Sequence, residues 1–376
     1  MIGSVRCFAR SSYAVFVFVI CIISCTKAPL PETEFVMGTI CSVNLFSDGN
    51  RSTYTKIFSR LREIEEIFSA NKAGTVMDEV NKNAGLRPVS VPPDFIYVLK
   101  TALYFAEKSE SAFDPTIGPL VNLWNIGFDD DYDYKNDNET ENENENSLSV
   151  KIPSVEDIDK ALCLIAYRDV LIDETEQTVF LGRQEMRIDL GAIVKGYAAD
   201  EVVRIAKECG VKSAVVDLGG NIYIYGTKQT SRLKKIASKS PEMQTSNKWK
   251  VGVQNPLKNR GVYAGYVEID GGSLVTSGIY ERFFEVDGTR YHHILSTTTG
   301  YPVENGIASV TIVNTENGRT DISMIADALS TTVFALGYDK GCKLLSEISH
   351  NYDVSAIFIM SDETKQTFGN VTLHGM

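Results

Sequence analysis

An α+β fold, with mixed, largely antiparallel sheets and packed helices, is what this 376-residue sequence predicts, and three observations carry it. Strand-like runs follow one another from Lys250 to Leu295 with short turns between them, which is the pattern of antiparallel pairing. Asp287-Gly288, between Arg282–Val286 and Tyr291–Leu295, is a type I′ hairpin signal because both positions favour residues that tolerate positive φ. Helical periods near 3.6 residues come in separate blocks, too unevenly interleaved with strands for a doubly wound sheet.

The chain begins with an address. Arg6 and Arg10 form a basic segment, and Tyr13–Ile23 is apolar but short of the ~20 residues that span a bilayer. Ile22-Ile23-Ser24-Cys25 resembles a bacterial lipobox, so residues 1–24 are expected to be a signal peptide and Cys25 the lipidated first residue of the mature chain. An ordinary secretory cleavage site is the alternative. Residues 25–33 then form a tether, and 34–376 the folded domain, on the periplasmic side of a bacterial membrane, with the inner membrane as the expected site.

The net charge of −12 argues against nucleic acid as a partner. Of seven cysteines, Cys41, Cys163, Cys209 and Cys342 lie in the folded part, without a C-x-x-C pattern. Three pairings are open to them, and buried free thiols are the reading adopted here.

Glu34–Phe46 alternates as a strand interrupted at Met37-Gly38-Thr39. Tyr54–Phe68 carries a helical stripe of Ile57, Leu61, Ile64 and Phe68. A loop at 69–74 and a helical turn at Val76–Val80 follow. Pro92–Ser109 is a second helix, and Ser111–Trp124 is loop-rich. Residues 129–147 are Asp-, Glu- and Asn-rich without an apolar period and read as a mobile insertion; 227–248 is a second polar one. Ser154–Ala166 is a helix capped by Ser154. Val170–Asp173 and Thr178–Leu181 form a hairpin. Ala308–Val313 and Val354–Met360 are strands, and Ile322–Leu336 and Lys340–Ile348 are helices.

Arg187–Asp200 changes character halfway. Ile188 and Leu190 read as a strand end, Gly191 turns the chain, and Ile193, Tyr197, Val202 and Ile205 recur as a helix that Gly210 stops. With Ser213–Gly220 the unit reads strand, helix, strand. A helix start of this kind attracts anions, phosphates above all. Lys195 adds positive charge there and Asp189 a carboxylate. The stretch has neither the Lys-Ser/Thr ending of a P-loop nor Gly-x-Gly-x-x-Gly.

Asp327 and Thr331, four apart on one helix, share a face. A carboxylate beside a hydroxyl is hard-oxygen chemistry that suits Mg2+. His292 and His293 are adjacent on a strand, so they point opposite ways. No His-Glu-x-x-His motif occurs.

Seven ordered motifs now converge. Met37-Gly38-Thr39, Ala112-Phe-Asp-Pro-Thr-Ile-Gly-Pro-Leu, Asp189-Leu-Gly-Ala-Ile-Val-Lys-Gly-Tyr-Ala-Ala-Asp, Asp217-Leu-Gly-Gly-Asn, Thr276-Ser-Gly, His293-Ile-Leu with Thr299-Gly-Tyr-Pro, and Ala326-Asp-Ala-Leu-Ser-Thr-Thr together resemble the FAD:protein FMN transferase (ApbE) family. The resemblance spans residues 34 to 360. It implies an ApbE-like (T-fold-like) architecture and a Mg2+-dependent flavinyltransferase. Such an enzyme splits FAD and attaches FMN through a phosphoester to a Thr or Ser of a partner flavoprotein, releasing AMP. It also passes FMN to water, as an FAD pyrophosphatase. Implied partners are subunits of Rnf-type complexes and of sodium-pumping NADH:quinone reductases.

Carried over position by position, Met37, Asn71, Ala112, Phe113, Asp114, Asp189, Lys195 and Leu295 would line the FAD site. The Ala192 carbonyl, the Asp327 carboxylate and the Thr331 hydroxyl would hold the metal. His293 would help take the proton of the attacking hydroxyl. Asn71 departs from the family, many of whose members have a tyrosine there that packs on FAD. Ser330 departs too, standing where some relatives have a carboxylate. The competing reading is a non-catalytic flavin-binding carrier lipoprotein, which has no need of an Asp327–Thr331 ligand pair.

Overall fold

The computed structural model describes residues 30–46, 48–127, 152–227 and 248–375. The signal segment, Cys25 and the acidic insertion at 129–147 lie outside the described residues, as does 227–248 apart from its two ends. The order from the N-terminus is β1 (Glu32–Val36), β2 (Thr39–Leu45), α1 (Arg51–Phe68), α2 (Val76–Lys82), β3 (Val89–Ser90), α3 (Pro93–Lys108), α4 (Gly118–Trp124) and α5 (Val155–Leu162). Then come β4 (Val170–Asp173), β5 (Thr178–Leu181), α6 (Val194–Glu208), β6 (Ala214–Leu218), β7 (Asn221–Tyr225), β8 (Trp249–Gln254) and β9 (Tyr263–Ile269). The chain finishes with β10 (Gly272–Gly278), β11 (Phe283–Val286), β12 (Thr289–His292), β13 (Ile307–Thr315), α7 (Ile322–Leu336), α8 (Tyr338–Ile348), β14 (Val354–Met360) and β15 (Lys365–Phe368).

An open eight-stranded sheet in the order β1-β2-β6-β7-β10-β13-β14-β15 organises the molecule, and every pair in it is antiparallel. The period of two along each strand divides two cores. Val216, Tyr223, Val275, Val310, Ile312 and Phe358 face helices α1, α6 and α7. On the opposite face Ile224, Leu274, Val313, Ile357 and Ile359 are covered by the β8–β9 hairpin through Trp249, Val251, Val253, Val267 and Ile269. A third cluster joins α4 and α5 to the β11–β12 hairpin. There Trp124 stacks on Phe284 and Tyr291 and donates Nε1–H to the Gly300 carbonyl at 2.7 Å.

The structure corrects several sequence expectations, each for a local reason. The interrupted strand at Met37-Gly38-Thr39 is a hairpin, because Met37 (φ 58°) and Gly38 (φ 67°) make the two-residue turn between β1 and β2. The expected strand at Arg187–Leu190 pairs as a strand only at Arg187, against Ile117. The Asn81 side chain takes the next partner's place, accepting from Ile188 N at 2.7 Å and donating to its carbonyl at 3.0 Å. The strand–helix–strand unit is therefore an extended segment followed by α6 and β6. Gly118-Pro119 opens helix α4 where only loop was expected, and β7 and β15 are strands the sequence reading did not pick out. The four described cysteines are free, but only Cys41 is buried and Cys163 is exposed.

Candidate functional site

Helices α6 and α7 cross where Gly196 allows it. A Cβ at that position would stand 2.3 Å from the Ser323 carbonyl oxygen, so only glycine lets the backbones meet. Two carboxylates cross the contact in opposite directions. Asp200 on α6 accepts from Ser323 N (3.0 Å) and Met324 N (2.8 Å), closing the N-terminus of α7, which has no side-chain cap of its own. Asp327 on α7 accepts from Gly196 N at 2.8 Å. The anion drawn to the start of α6 is thus the protein's own. Burial raises the proton affinity of Asp327, while Lys195 and the Gly196 N–H lower it.

This contact frees another group. The Gly196 N–H goes to Asp327 instead of back to Ala192, so the Ala192 carbonyl accepts no hydrogen bond among the described residues. Thr331, one turn beyond Asp327, has its hydroxyl 3.0 Å from Ser277 Oγ on β10. Ser330 turns away into the helix–sheet contact, 2.8 Å from Ser277 Oγ and 2.8 Å from the Asp327 carbonyl. No three His, Cys, Asp or Glu side chains are gathered as metal ligands among the described residues. One carboxylate, one hydroxyl and one free carbonyl are instead hard oxygens, which fit a Mg2+ that keeps water and phosphate as its other ligands.

Around this centre the remaining candidates fall on several segments. Asp189 Oδ1 accepts from Gly191 N at 2.7 Å, and its own N–H bonds the Pro115 carbonyl at 2.8 Å, which ties the α6 entry to the Ala112–Asp114 loop. Lys195 Nζ rests 3.0 Å from the Gly191 carbonyl. Asp114 is buried and fully engaged: it accepts from Thr116 N (2.9 Å), Thr116 Oγ1 (2.6 Å) and Ser111 Oγ (2.6 Å), so it holds its loop in shape. Phe113 is buried and Ala112 half-buried.

Met37 sits at the tip of the first hairpin, its N–H held by Glu65 Oε1 at 2.6 Å. Glu65 also lies 4.0 Å from Lys72, in the loop where Asn71 is exposed, so the Met37 tip and the Asn71 loop are neighbours. A Cβ on Gly38 would be 4.0 Å from the Arg282 guanidinium.

Arg282 in turn holds His293, whose N–H bonds the Arg282 carbonyl at 3.1 Å and whose Nδ1 lies 3.3 Å from the same oxygen. A carbonyl only accepts, so Nδ1 carries the proton and Nε2 the lone pair. Burial and the charge of Arg282 push the His293 pKa down to about 3, keeping the ring neutral. His292 points elsewhere. It donates Nε2–H to the Val303 carbonyl (3.1 Å), accepts from Ile294 N (3.3 Å) and packs edge-on against Phe334, which makes it a core residue. Leu295 is also placed apart, since its side chain is buried against the Leu120–Trp124 cluster.

Sequence reasoning passed over Glu281. It is exposed and stands close enough to Lys195 and Asp327 for both charges to act on it, in opposite directions. Asn221, Asp200 and Ser277 were likewise not singled out, although each stands inside or beside a quoted motif.

Fold and site together define a class: an α+β protein in which a lysine acts on both a buried carboxylate and a neutral histidine, with hydroxyls on the same helix face, a set suited to a phosphate-bearing small molecule. The chain belongs to the ApbE family, whose model matches residues 37–358. It is 36% identical over 341 residues to the FAD:protein FMN transferase of Treponema pallidum, covering 88% of this chain and 84% of that one. To a Klebsiella pneumoniae FAD:protein FMN transferase it is 32% identical, covering 86% and 87%. The crystal structure of the ApbE protein from Thermotoga maritima superposes with a TM-score of 0.72 at 29% identity, covering 90% of this chain and 96% of that one. The flavin transferase ApbE from Vibrio cholerae shares the fold, with a TM-score of 0.69 at 23% identity and coverage of 90% and 96%.

Proposed function

We propose that this chain is an FAD:protein FMN transferase that also hydrolyses FAD to FMN and AMP, working with Mg2+ on the periplasmic side of a bacterial inner membrane, held there through Cys25. The observation that carries the chemistry is the pairing of Asp327 with Gly196, which leaves the Ala192 carbonyl without its helix bond, while the Thr331 hydroxyl stands one turn from the same carboxylate. These three groups would hold the ion, and the ion would supply charge neutralisation at the pyrophosphate.

The chain's own residues do the rest. Lys195 brings a positive charge to the same centre, where it also acts on Asp327. The acceptor hydroxyl oxygen forms a bond to the FMN phosphorus while the bond from that phosphorus to the bridging oxygen breaks, and AMP leaves with that oxygen. His293 Nε2, whose lone pair is fixed by the Nδ1–Arg282 contact, would help take the hydroxyl proton as negative charge develops at the phosphorus, which offsets the burial that otherwise holds its proton affinity low. Met37 at its hairpin tip and the Ala112–Phe113 segment offer apolar contact to the flavin. With water in place of the hydroxyl, the same displacement is hydrolysis. Exposed Asn71 offers no aromatic wall, which favours water at the site. The acceptor is a Thr or Ser of a partner flavoprotein such as an Rnf-type or sodium-pumping NADH:quinone reductase subunit.

The test is FAD with the chain from Thr26 onward, in Mg2+ or EDTA, followed by chromatography for AMP and FMN, with an acceptor-threonine fragment in parallel. AMP only with Mg2+, a loss of about 100-fold or more in Asp327→Ala, and flavin covalently on the fragment are expected. FAD bound but uncleaved in both arms would instead make the protein a flavin carrier.

A further inference from the structure

Asn221 opens β7 directly after the Gly219-Gly220 turn and is 1% exposed. Its Oδ1 accepts from Ser323 Oγ at 2.7 Å. Ser323 Oγ is in turn 2.8 Å from Ser273 Oγ on β10, and both serines are fully buried. This line of hydroxyls fixes which way the amide faces. With the oxygen committed to Ser323, the NH2 group turns the other way.

Ser323 and Asp327 are four residues apart on α7, so their side chains lie one above the other on one face. With the amide oxygen on Ser323, the nitrogen side is left for Asp327, on which Asn221 acts as a donor. Asn221 Nδ2 is buried and has no well-formed hydrogen bond among the described residues, and the Asp327 carboxyl is the acceptor beside it. A buried amide N–H left in that state is rare and needs a reason.

We propose that Asn221 is a positioning residue for the transfer reaction: its amide, oriented by Ser323 and Ser273, steers the Asp327 carboxylate toward the Ala192 carbonyl and the Thr331 hydroxyl. Gly196 N–H restrains one carboxylate oxygen from the helix side, and Asn221 restrains the group from the sheet side. The inference rests on the reading of Asp327 given above. Groups that orient a ligand without touching the ion commonly change affinity or activity about 10- to 100-fold when replaced.

The discriminating variant is Asn221→Asp, which keeps an acceptor for Ser323 but sets an oxygen against Asp327. Two readouts are needed. AMP release is measured as kcat and KM for FAD against Mg2+ concentration. FAD binding is measured by fluorescence anisotropy in EDTA and in saturating Mg2+. The expected result is a kcat about tenfold lower or less, a similar rise in the Mg2+ required, and loss of the Mg2+-dependent gain in FAD affinity. The affinity in EDTA should stay within about twofold of wild type, since Asn221 acts through Asp327. Ser323→Ala, which only releases the amide, should shift the same quantities in the same direction by less, and serves if Asn221→Asp does not fold. Wild-type Mg2+ dependence and binding gain in a folded Asn221→Asp would overturn the inference while Asp327→Ala remained inactive. An active Asp327→Ala, or a wild type whose FAD affinity ignores Mg2+, would instead overturn the underlying reading.

Discussion

Asp327 Oδ2 lies 2.8 Å from Gly196 N, so a carboxylate on one helix ends the orphan N–H of another that is 131 residues away in sequence. Asp200 returns the same service to Ser323 and Met324. Three N–H groups at two helix starts are thereby paired, and the candidate metal-binding carboxylate is aimed by backbone geometry.

Gly196→Ala tests the contact directly. The new methyl would meet the Ser323 carbonyl at 2.3 Å and the Met324 Cα at 2.6 Å, and backbone cannot rotate out of the way. Urea unfolding should show a loss of about 1–3 kcal/mol, in the range of overpacked cores. Activity should fall by more than stability does, because Asp327 loses its donor. Unchanged unfolding midpoint and activity would show that the helices have slack there.

Asp200→Ala should destabilise by about 1–3 kcal/mol, the usual result of leaving buried N–H groups unsatisfied. Asp200→Asn keeps one acceptor and should lose less. Thermal melts of the two variants give the order, and an Asn variant as weak as the Ala variant would mean that the charge, not the hydrogen bond, matters.

The pH dependence has a definite sign. His292 and His293 have pKa values pushed by burial down to about 4 and about 3 in the folded chain, against 6.5 as the ordinary value. The unfolded chain therefore binds their protons more readily, so their contribution to stability is complete above pH 6.5. It shrinks as pH falls from 6.5 toward 4 and 3, by up to ~1.4 kcal/mol per pH unit for each ring. In His292→Asn, the difference from wild type in unfolding free energy should narrow as the pH is lowered through that window. A difference that stays constant with pH would show that His292 is not held neutral.

Asn71→Tyr restores the ring that many family members carry. The loop is exposed and adjoins the Met37 tip through Glu65 and Lys72, so the new side chain has room. Stacking of ~0.5–1.5 kcal/mol should slow FAD hydrolysis and increase the FAD retained on purification. Hydrolysis and occupancy equal to wild type would remove Asn71 as the cause of water access.

The stripe Ile57, Leu61, Ile64 and Phe68 was legible in sequence because a buried helix face must repeat every 3.6 residues, and all four are buried in α1. Asp287-Gly288 was legible for a different reason, since its turn needs positive φ at both positions and has it. The Met37-Gly38 turn was misread as an interruption because methionine seldom takes φ 58°; the Glu65 bond to its N–H helps hold it. Asn221 stood in a quoted motif, but its role was not legible, as its neighbours Ser323 and Asp327 are about a hundred residues away.

By itself the sequence determined the α+β class, most of the helices and strands, the order of the motifs and the spacing of Asp327 from Thr331. These depend on local backbone preference and on which side of an element is apolar. Only the tertiary structure decided that Asn81 replaces a strand beside Ile188, that Asp327 occupies the α6 start, and that His292 serves the core while His293 meets Arg282. A buried polar group takes whichever partner the closed fold brings within about 3 Å, and no local pattern encodes that distance.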